Sequence, residues 1–114
     1  MTDCVFCRIA RKEIASTVIY EDEDLFAFKD SNPQAPVHIL LIPKQHCSSI
    51  LEIDLLREDI PSHLFKSLKE IAKAANLDHS GFRVVANTGH TGGQTVFHLH
   101  FHILGGRAMR WPPG

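Results

Sequence analysis

Three things are scarce in this chain. No apolar run approaches the roughly 20 residues a membrane-spanning helix needs, and the N-terminus has no apolar signal-like stretch. Neither a membrane partner nor secretion is expected. An excess of one charge is also missing: twelve basic side chains stand against thirteen acidic, for a formal net charge of -1. No electrostatic footprint for DNA or RNA follows from that balance. Cysteine is sparse, and its count of three is odd. Without a secretion signal, that count points to a reducing cytoplasm. Nor does any repeat, low-complexity stretch or linker mark a second domain. The expectation is one domain over 1–114, large enough to bury roughly two-thirds of its unfolded surface.

Histidine, by contrast, is abundant, with eight copies. Three of them fall in Val96-Phe97-His98-Leu99-His100-Phe101-His102-Ile103-Leu104, where apolar and histidine residues alternate. Period 2 is the signature of a strand with two different faces. On that reading Phe97, Leu99, Phe101 and Ile103 point into a core, and His98, His100 and His102 line the other face. A purely structural strand has little use for three titratable rings side by side.

Along the rest of the chain, residues 3–12 read as a short helix, with Asp3 as its cap and Val5, Phe6 and Ile9 as its buried side. Val18-Ile19-Tyr20 and Leu25-Phe26-Ala27-Phe28 read as strands joined by an acidic turn. Prolines 33 and 36 make residues 30–36 a loop. The apolar run 37–42, closed by Pro43, reads as a central strand. Ile60, Leu64, Leu68, Ile71 and Ala75 share one face of a long helix over about 59–76, with Pro61 tolerated in its first turn. A strand over 82–86 and a glycine-rich loop over 87–95 then lead into the histidine strand. His63, His79 and His90 carry no motif and read as solvated surface residues. Strands outnumber helices and their connections are mostly short, so the fold class is α+β with an antiparallel sheet.

Two chemistries compete for the three rings. Metal ligation by all three strains the side chains, because His98 and His102 start about 13 Å apart along an extended strand. Nucleophilic catalysis needs only one neutral imidazole, tuned by its neighbours, and the middle ring, His100, is the candidate. Gly92-Gly93-Gln94-Thr95 can offer backbone N–H groups and a hydroxyl beside the rings, which suits a phosphate. Cys4-x-x-Cys7 is half of a zinc site, a redox dithiol or two unrelated buried thiols. No thioredoxin-like βαβ pattern supports the redox reading.

His98-Leu99-His100-Phe101-His102-Ile103-Leu104 resembles the signature of the histidine triad superfamily. Residues 30–36, 38–46 and 87–95, together with the ending Gly105-Gly106-Arg107 … Trp111-Pro112-Pro113-Gly114, are similar to its Hint branch of nucleoside phosphoramidases. The resemblance implies a HIT-like fold: about five antiparallel strands, one long and one short helix, and a sheet continuous across a two-fold homodimer. It implies a purine nucleotide-binding hydrolase in which His100 attacks the α-phosphorus of a nucleoside 5′-phosphoramidate. Water then releases the nucleoside monophosphate. By the same resemblance His102 meets the phosphate and leaving-group side, and His38 orients the triad that His98 opens. Asn87, Gly93 and Thr95 hold the phosphate. Val5, Phe6, Ile9 and Phe28 wall the nucleoside pocket, Asp30 takes the ribose hydroxyls, and Trp111 reaches toward the partner's site. Several relatives also hold a structural zinc, with a ligand set that maps onto Cys4, Cys7, His46 and His98. The cysteine pair departs from the branch that the tail resembles. Competing readings are a dinucleoside polyphosphate hydrolase of the same superfamily, a nucleotide-binding module without turnover, and a metal-dependent hydrolase.

Overall fold

A computed structural model of the chain describes residues 4–114. Five antiparallel strands form one sheet in the order β1-β2-β3-β5-β4. They are β1 Val18–Glu21, β2 Leu25–Lys29, β3 Val37–Pro43, β4 Phe82–Val85 and β5 Phe101–Gly105. A short helix, α1 Val5–Ala10, precedes them, and a long one, α2 Ile60–Ala74, joins β3 to β4. The expected α+β class, strand count and helix pair are all present. No helix among the described residues is long and apolar enough to cross a membrane.

The near-continuous apolar run of β3 has a simple cause: both faces of the central strands are covered. On one face Leu25, Ala27, Ile39, Leu41, Phe101 and Ile103 pack against Leu64, Leu68 and Ile71 of α2. On the other, Phe26, Phe28, Leu40 and Ile42 pack against Phe6 and Ile9 of α1. The amphipathic stripe read along α2 is therefore the stripe that meets the sheet. Its first residue is preceded by Asp59, whose side chain caps nothing and pairs with Arg57 at 2.6 Å instead. Pro61 in the first turn and the packed face start the helix.

Four expectations need correction. Asp3 lies outside the described residues, and the side chain that caps α1 is Cys4, whose Sγ accepts the Cys7 N–H at 3.4 Å. Val5 is 39% exposed, so the buried side of α1 is Phe6, Cys7 and Ile9. The histidine stretch is regular strand only from Phe101 onward. In the β3–β5 register, where Leu41 faces Phe101, Leu99 falls opposite Pro43, which has no N–H to give the ladder. Leu99 donates to the Cys47 carbonyl at 2.8 Å instead, and Phe97 swings out to 56% exposure. The fourth correction concerns His63, which is paired rather than solvated: its Nε2 lies 2.7 Å from Asp22 Oδ2. A 3₁₀ segment, Ile50–Leu55, was not anticipated.

Asp22 ties the β1–β2 turn to α2. Burial alone raises its carboxyl, but bonds from the Tyr20 hydroxyl, the Asp24 and Leu25 amides and His63 hold it at about 2. The same hydrogen bond pushes the Tyr20 hydroxyl up to about 12. A carboxyl depressed in the folded state stabilises above its unfolded value near 3.9 and loses that contribution as pH falls through the folded one. Asp22→Asn is therefore expected to lose on the order of 1–2 kcal/mol at neutral pH. Urea midpoints of the two proteins should converge as pH falls from about 4 to about 2.

Candidate active site

Strand register builds the floor of the site. Phe28 faces Leu40 across β2 and β3, and Leu40 faces His102 across β3 and β5, so three side chains share the α1 side of the sheet. Above them α1 adds Val5, Phe6 and Ile9, closing a cleft of about 900 Å³. Phe6 meets the Phe28 ring edge-on at 5.5 Å and the His100 ring at 5.0 Å. Asp30, just past the end of β2, and Thr95, in the loop before the histidines, line the same space. The structure thus brings together Val5, Phe6, Ile9, Phe28, Asp30, Thr95, His100 and His102. Leu40 and Val96 line it as well and were not singled out from sequence. Leu40 stands two residues after His38 on one strand face, a period-2 signal that would have found it.

Each histidine has a different hydrogen-bonding partner, and these partners assign the protons. His100 Nδ1 donates to the His98 carbonyl at 2.7 Å, which leaves its Nε2 bare. His102 Nδ1 lies 2.9 Å from His38 Nε2, and that same His38 nitrogen lies 3.4 Å from Asp30 Oδ2. Burial pushes His100 and His38 below the ordinary imidazole value, with Asp30 opposing the shift in both. His102 falls further, to about 4, through burial and then the neighbouring His100 and His38. Neutral rings at physiological pH follow, the form that attacks electrophiles. The His98 ring turns away from the cleft, and its backbone carbonyl is what His100 uses.

The glycine-rich loop is arranged differently from the phosphate cradle expected of it. The Gly93 N–H donates to the His90 carbonyl and the Gln94 N–H to that of Gly89, so neither points at the cleft. Asn87 Nδ2 donates to the Gly92 carbonyl at 2.7 Å, and neither Asn87 nor Gly93 lines the cleft. These residues shape the loop that presents Thr95. Gly93 holds φ +82°, a left-handed conformation that glycine adopts without strain. Buried Gln94 pins the loop through the Ser48 carbonyl at 2.6 Å. A Cβ on Gly92 would overlap the Thr88 carbonyl oxygen, a backbone atom with no room to yield. Gly92→Ala is therefore expected to cost about 1–3 kcal/mol. It should also lower kcat/KM by moving Thr95, as urea titration and steady-state kinetics will register. Trp111 is 81% exposed, with the Arg83 guanidinium 5.9 Å from its ring, and within one chain it does not reach the cleft.

A second cluster lies beneath α1. Cys4, Cys7, His46 and His98 place their ligand atoms within 4.8 Å of one another. His98 Nδ1 is 3.3 Å from Cys4 Sγ, 3.4 Å from Cys7 Sγ and 3.1 Å from His46 Nδ1. Tetrahedral zinc with the usual bond lengths requires N–N and N–S edges of roughly 3.3–3.6 Å. His98 Nε2 donates to the Pro43 carbonyl at 2.8 Å, so the Nδ1 facing the cluster carries the lone pair. Burial holds His46 below its ordinary value and His98 at about 4, while it pushes the Cys7 thiol up. The donor set fits a closed structural Cys₂His₂ zinc, which leaves no open position for substrate.

Residues 11–109 match the HIT domain family. The chain belongs to that family. This HIT chain is 47% identical over 114 residues to a 14 kDa zinc-binding protein of Brassica juncea, spanning 98% of the one and 100% of the other. A HIT family hydrolase from Legionella pneumophila superposes with a TM-score of 0.91 at 43% identity, over 98% of this HIT chain and 100% of that one. A histidine triad nucleotide-binding protein from Candida albicans reaches a TM-score of 0.82 at 32% identity, over 89% and 73%. The HIT chain is accordingly of the Hint type and of the hydrolase-like kind within its family.

Proposed function

We propose that this HIT protein is a purine nucleoside phosphoramidase that works through a nucleotidyl-histidine intermediate. One observation carries the reading: the Nδ1 hydrogen of His100 is held by the His98 carbonyl, leaving a bare Nε2 on a ring that lines the cleft. The base lies between α1 and Phe28, and Asp30 takes the ribose hydroxyls. The Nε2 lone pair of His100 attacks the α-phosphorus, the P–N bond breaks, and the amine departs with a proton drawn from solvent, which the water of the second step gives back. Water then attacks the same phosphorus and the P–Nε2 bond breaks. The products are nucleoside monophosphate and neutral His100. His102 and the Thr95 hydroxyl meet the phosphate oxygens, where charge gathers in each transition state.

Zinc belongs to this reading as a structural group held by Cys4, Cys7, His46 and His98, supplying rigidity rather than chemistry. A reducing cytoplasm suits thiols kept free for that purpose. The working form is a homodimer joined at β4, the sheet edge that carries the exposed apolar residues Phe82 and Val84. The test is mass spectrometry of protein quenched during turnover of an adenosine 5′-phosphoramidate. A nucleotidyl adduct is expected on His100. Turnover with the adduct on another residue, or with none, overturns the mechanism.

A further inference from the structure

We infer that Arg107 is a positioning residue for the His38–His102 pair, acting through the backbone of Gln34. The inference rests on the reading of His102 as a ring that meets the phosphate. Its starting point is one backbone bond: the Gln34 N–H donates to His38 Nδ1 at 3.0 Å. A nitrogen that accepts from an amide carries no hydrogen, so neutral His38 holds its hydrogen on Nε2. That Nε2–H then donates to His102 Nδ1 across 2.9 Å. His102 in turn is left with its own hydrogen on Nε2, as a donor for a phosphate oxygen. If the Gln34 amide moves, His38 is free to take the other tautomer. Its Nε2 then becomes an acceptor, His102 must donate from Nδ1, and the remaining nitrogen of His102 loses its hydrogen. The Gln34 amide on Nδ1, with the Asp30 carboxylate facing Nε2 at 3.4 Å, thus decides which way the chain of hydrogen bonds runs.

What holds that amide in place comes from 73 residues further along the chain. Arg107 Nη2 donates to the Gln34 carbonyl at 3.0 Å, and its Nη1 donates to the Ala108 carbonyl at 3.1 Å. The planar guanidinium braces two carbonyls at once, which an ammonium, a compact point charge, does less well. A separate contact seats the tail on the loop. A Cβ on Gly106 would lie 2.8 Å from Pro36 Cβ, so the chain passes close against the loop just before Arg107. Within the loop, Gln34 Nε2 donates to the Asn32 carbonyl at 3.0 Å, and the Asn32 N–H donates to Asp30 Oδ1 at 2.8 Å. Moving Gln34 therefore also disturbs Asp30, whose other oxygen faces His38. The Gly-Gly-Arg that opens the tail is, on this reading, a brace on the far end of the histidine relay.

The test compares wild type with Arg107→Met, which keeps an apolar stem and removes the donors, and with Arg107→Lys. Ring ¹⁵N shifts from two-bond ¹H–¹⁵N correlation spectra of the full-length protein report the tautomers of His38 and His102 directly. In wild type, His38 and His102 should each show a bare Nδ1 and a protonated Nε2. Arg107→Met should mix the tautomers at both rings. Its kcat on an adenosine phosphoramidate should fall about 10- to 100-fold, with a smaller rise in KM that comes through Asp30. Arg107→Lys should recover part of both effects. Unchanged tautomers together with unchanged kcat in Arg107→Met overturn the inference. If Arg107→Met does not fold, equal tautomer patterns in Arg107→Lys and wild type overturn it. Tautomers that shift in a protein without phosphoramidase turnover would sink the proposed function while leaving the brace standing.

Discussion

His100→Asn is expected to bind nucleoside monophosphate within a few-fold of wild type and to turn over at least about 10⁴-fold more slowly. Asparagine is the informative replacement because its Nδ2 can still donate to the His98 carbonyl, the bond that orients the native ring. What it lacks is a nucleophilic nitrogen where Nε2 stood. His100→Ala removes both and also empties the edge contact with Phe6, so loss of function in that variant alone says less. Isothermal titration with the monophosphate and single-turnover kinetics on the phosphoramidate separate binding from chemistry. Turnover by His100→Asn within ten-fold of wild type would mean that another group attacks phosphorus. A wild-type protein that binds the monophosphate and hydrolyses nothing would be a nucleotide-binding module that keeps the cleft. Faster turnover of a diadenosine polyphosphate than of the phosphoramidate would move the protein to the other hydrolase class of its superfamily.

The parts legible in the sequence were those governed by local periodicity. Alternation put Leu99, Phe101 and Ile103 in the core, and the 3.6-residue stripe of α2 found its buried face. Alternation failed at Phe97, because it describes a strand and cannot see that the neighbouring strand ends in a residue without an N–H. That missing ladder partner is Pro43, whose carbonyl is turned to the His98 ring instead. In the Ile50–Leu55 segment Leu51, Ile53 and Leu55 alternate with Glu52 and Asp54 as they would in a strand. The segment is nonetheless a 3₁₀ turn with Leu51 and Leu55 exposed, so its local pattern does not give its structure. In the site, side chains that touch the cleft carried a signature; groups that act by backbone did not. Gln34 contributes its amide and its carbonyl, which any residue but proline would offer. His63 looked like solvent decoration because its partner, Asp22, is 41 residues away on another element. Cys4 and Cys7 were visible as a pair, whereas His46 and His98 joined them only through the resemblance, since 52 residues separate those two rings.

The cluster those four residues form gives the largest stability effect expected of this molecule. Metal stripped by a strong chelator, or excluded by the Cys4→Ser/Cys7→Ser double variant, should lower the melting temperature by roughly 10–20 °C. The figure lies below what a zinc finger suffers, because two apolar clusters hold the sheet and α2 together without any ion. What the ion would fasten is α1, a helix of only six residues with little intrinsic stability. Loosening α1 frees Phe6 and Ile9, which wall the cleft, so KM for the phosphoramidate should rise more than kcat falls. His100 is not a ligand, and its hydrogen bond runs to the His98 backbone rather than to the ring that would meet the metal. Residual turnover after chelation is therefore part of the expectation, and it separates a structural ion from a catalytic one. Elemental analysis of purified protein should give one zinc per chain, and the double variant should melt alike with and without chelator. Metal-free protein that melts with the double variant at the wild-type temperature would remove zinc from this account. The thiols would then be two buried side chains that happen to face two histidines.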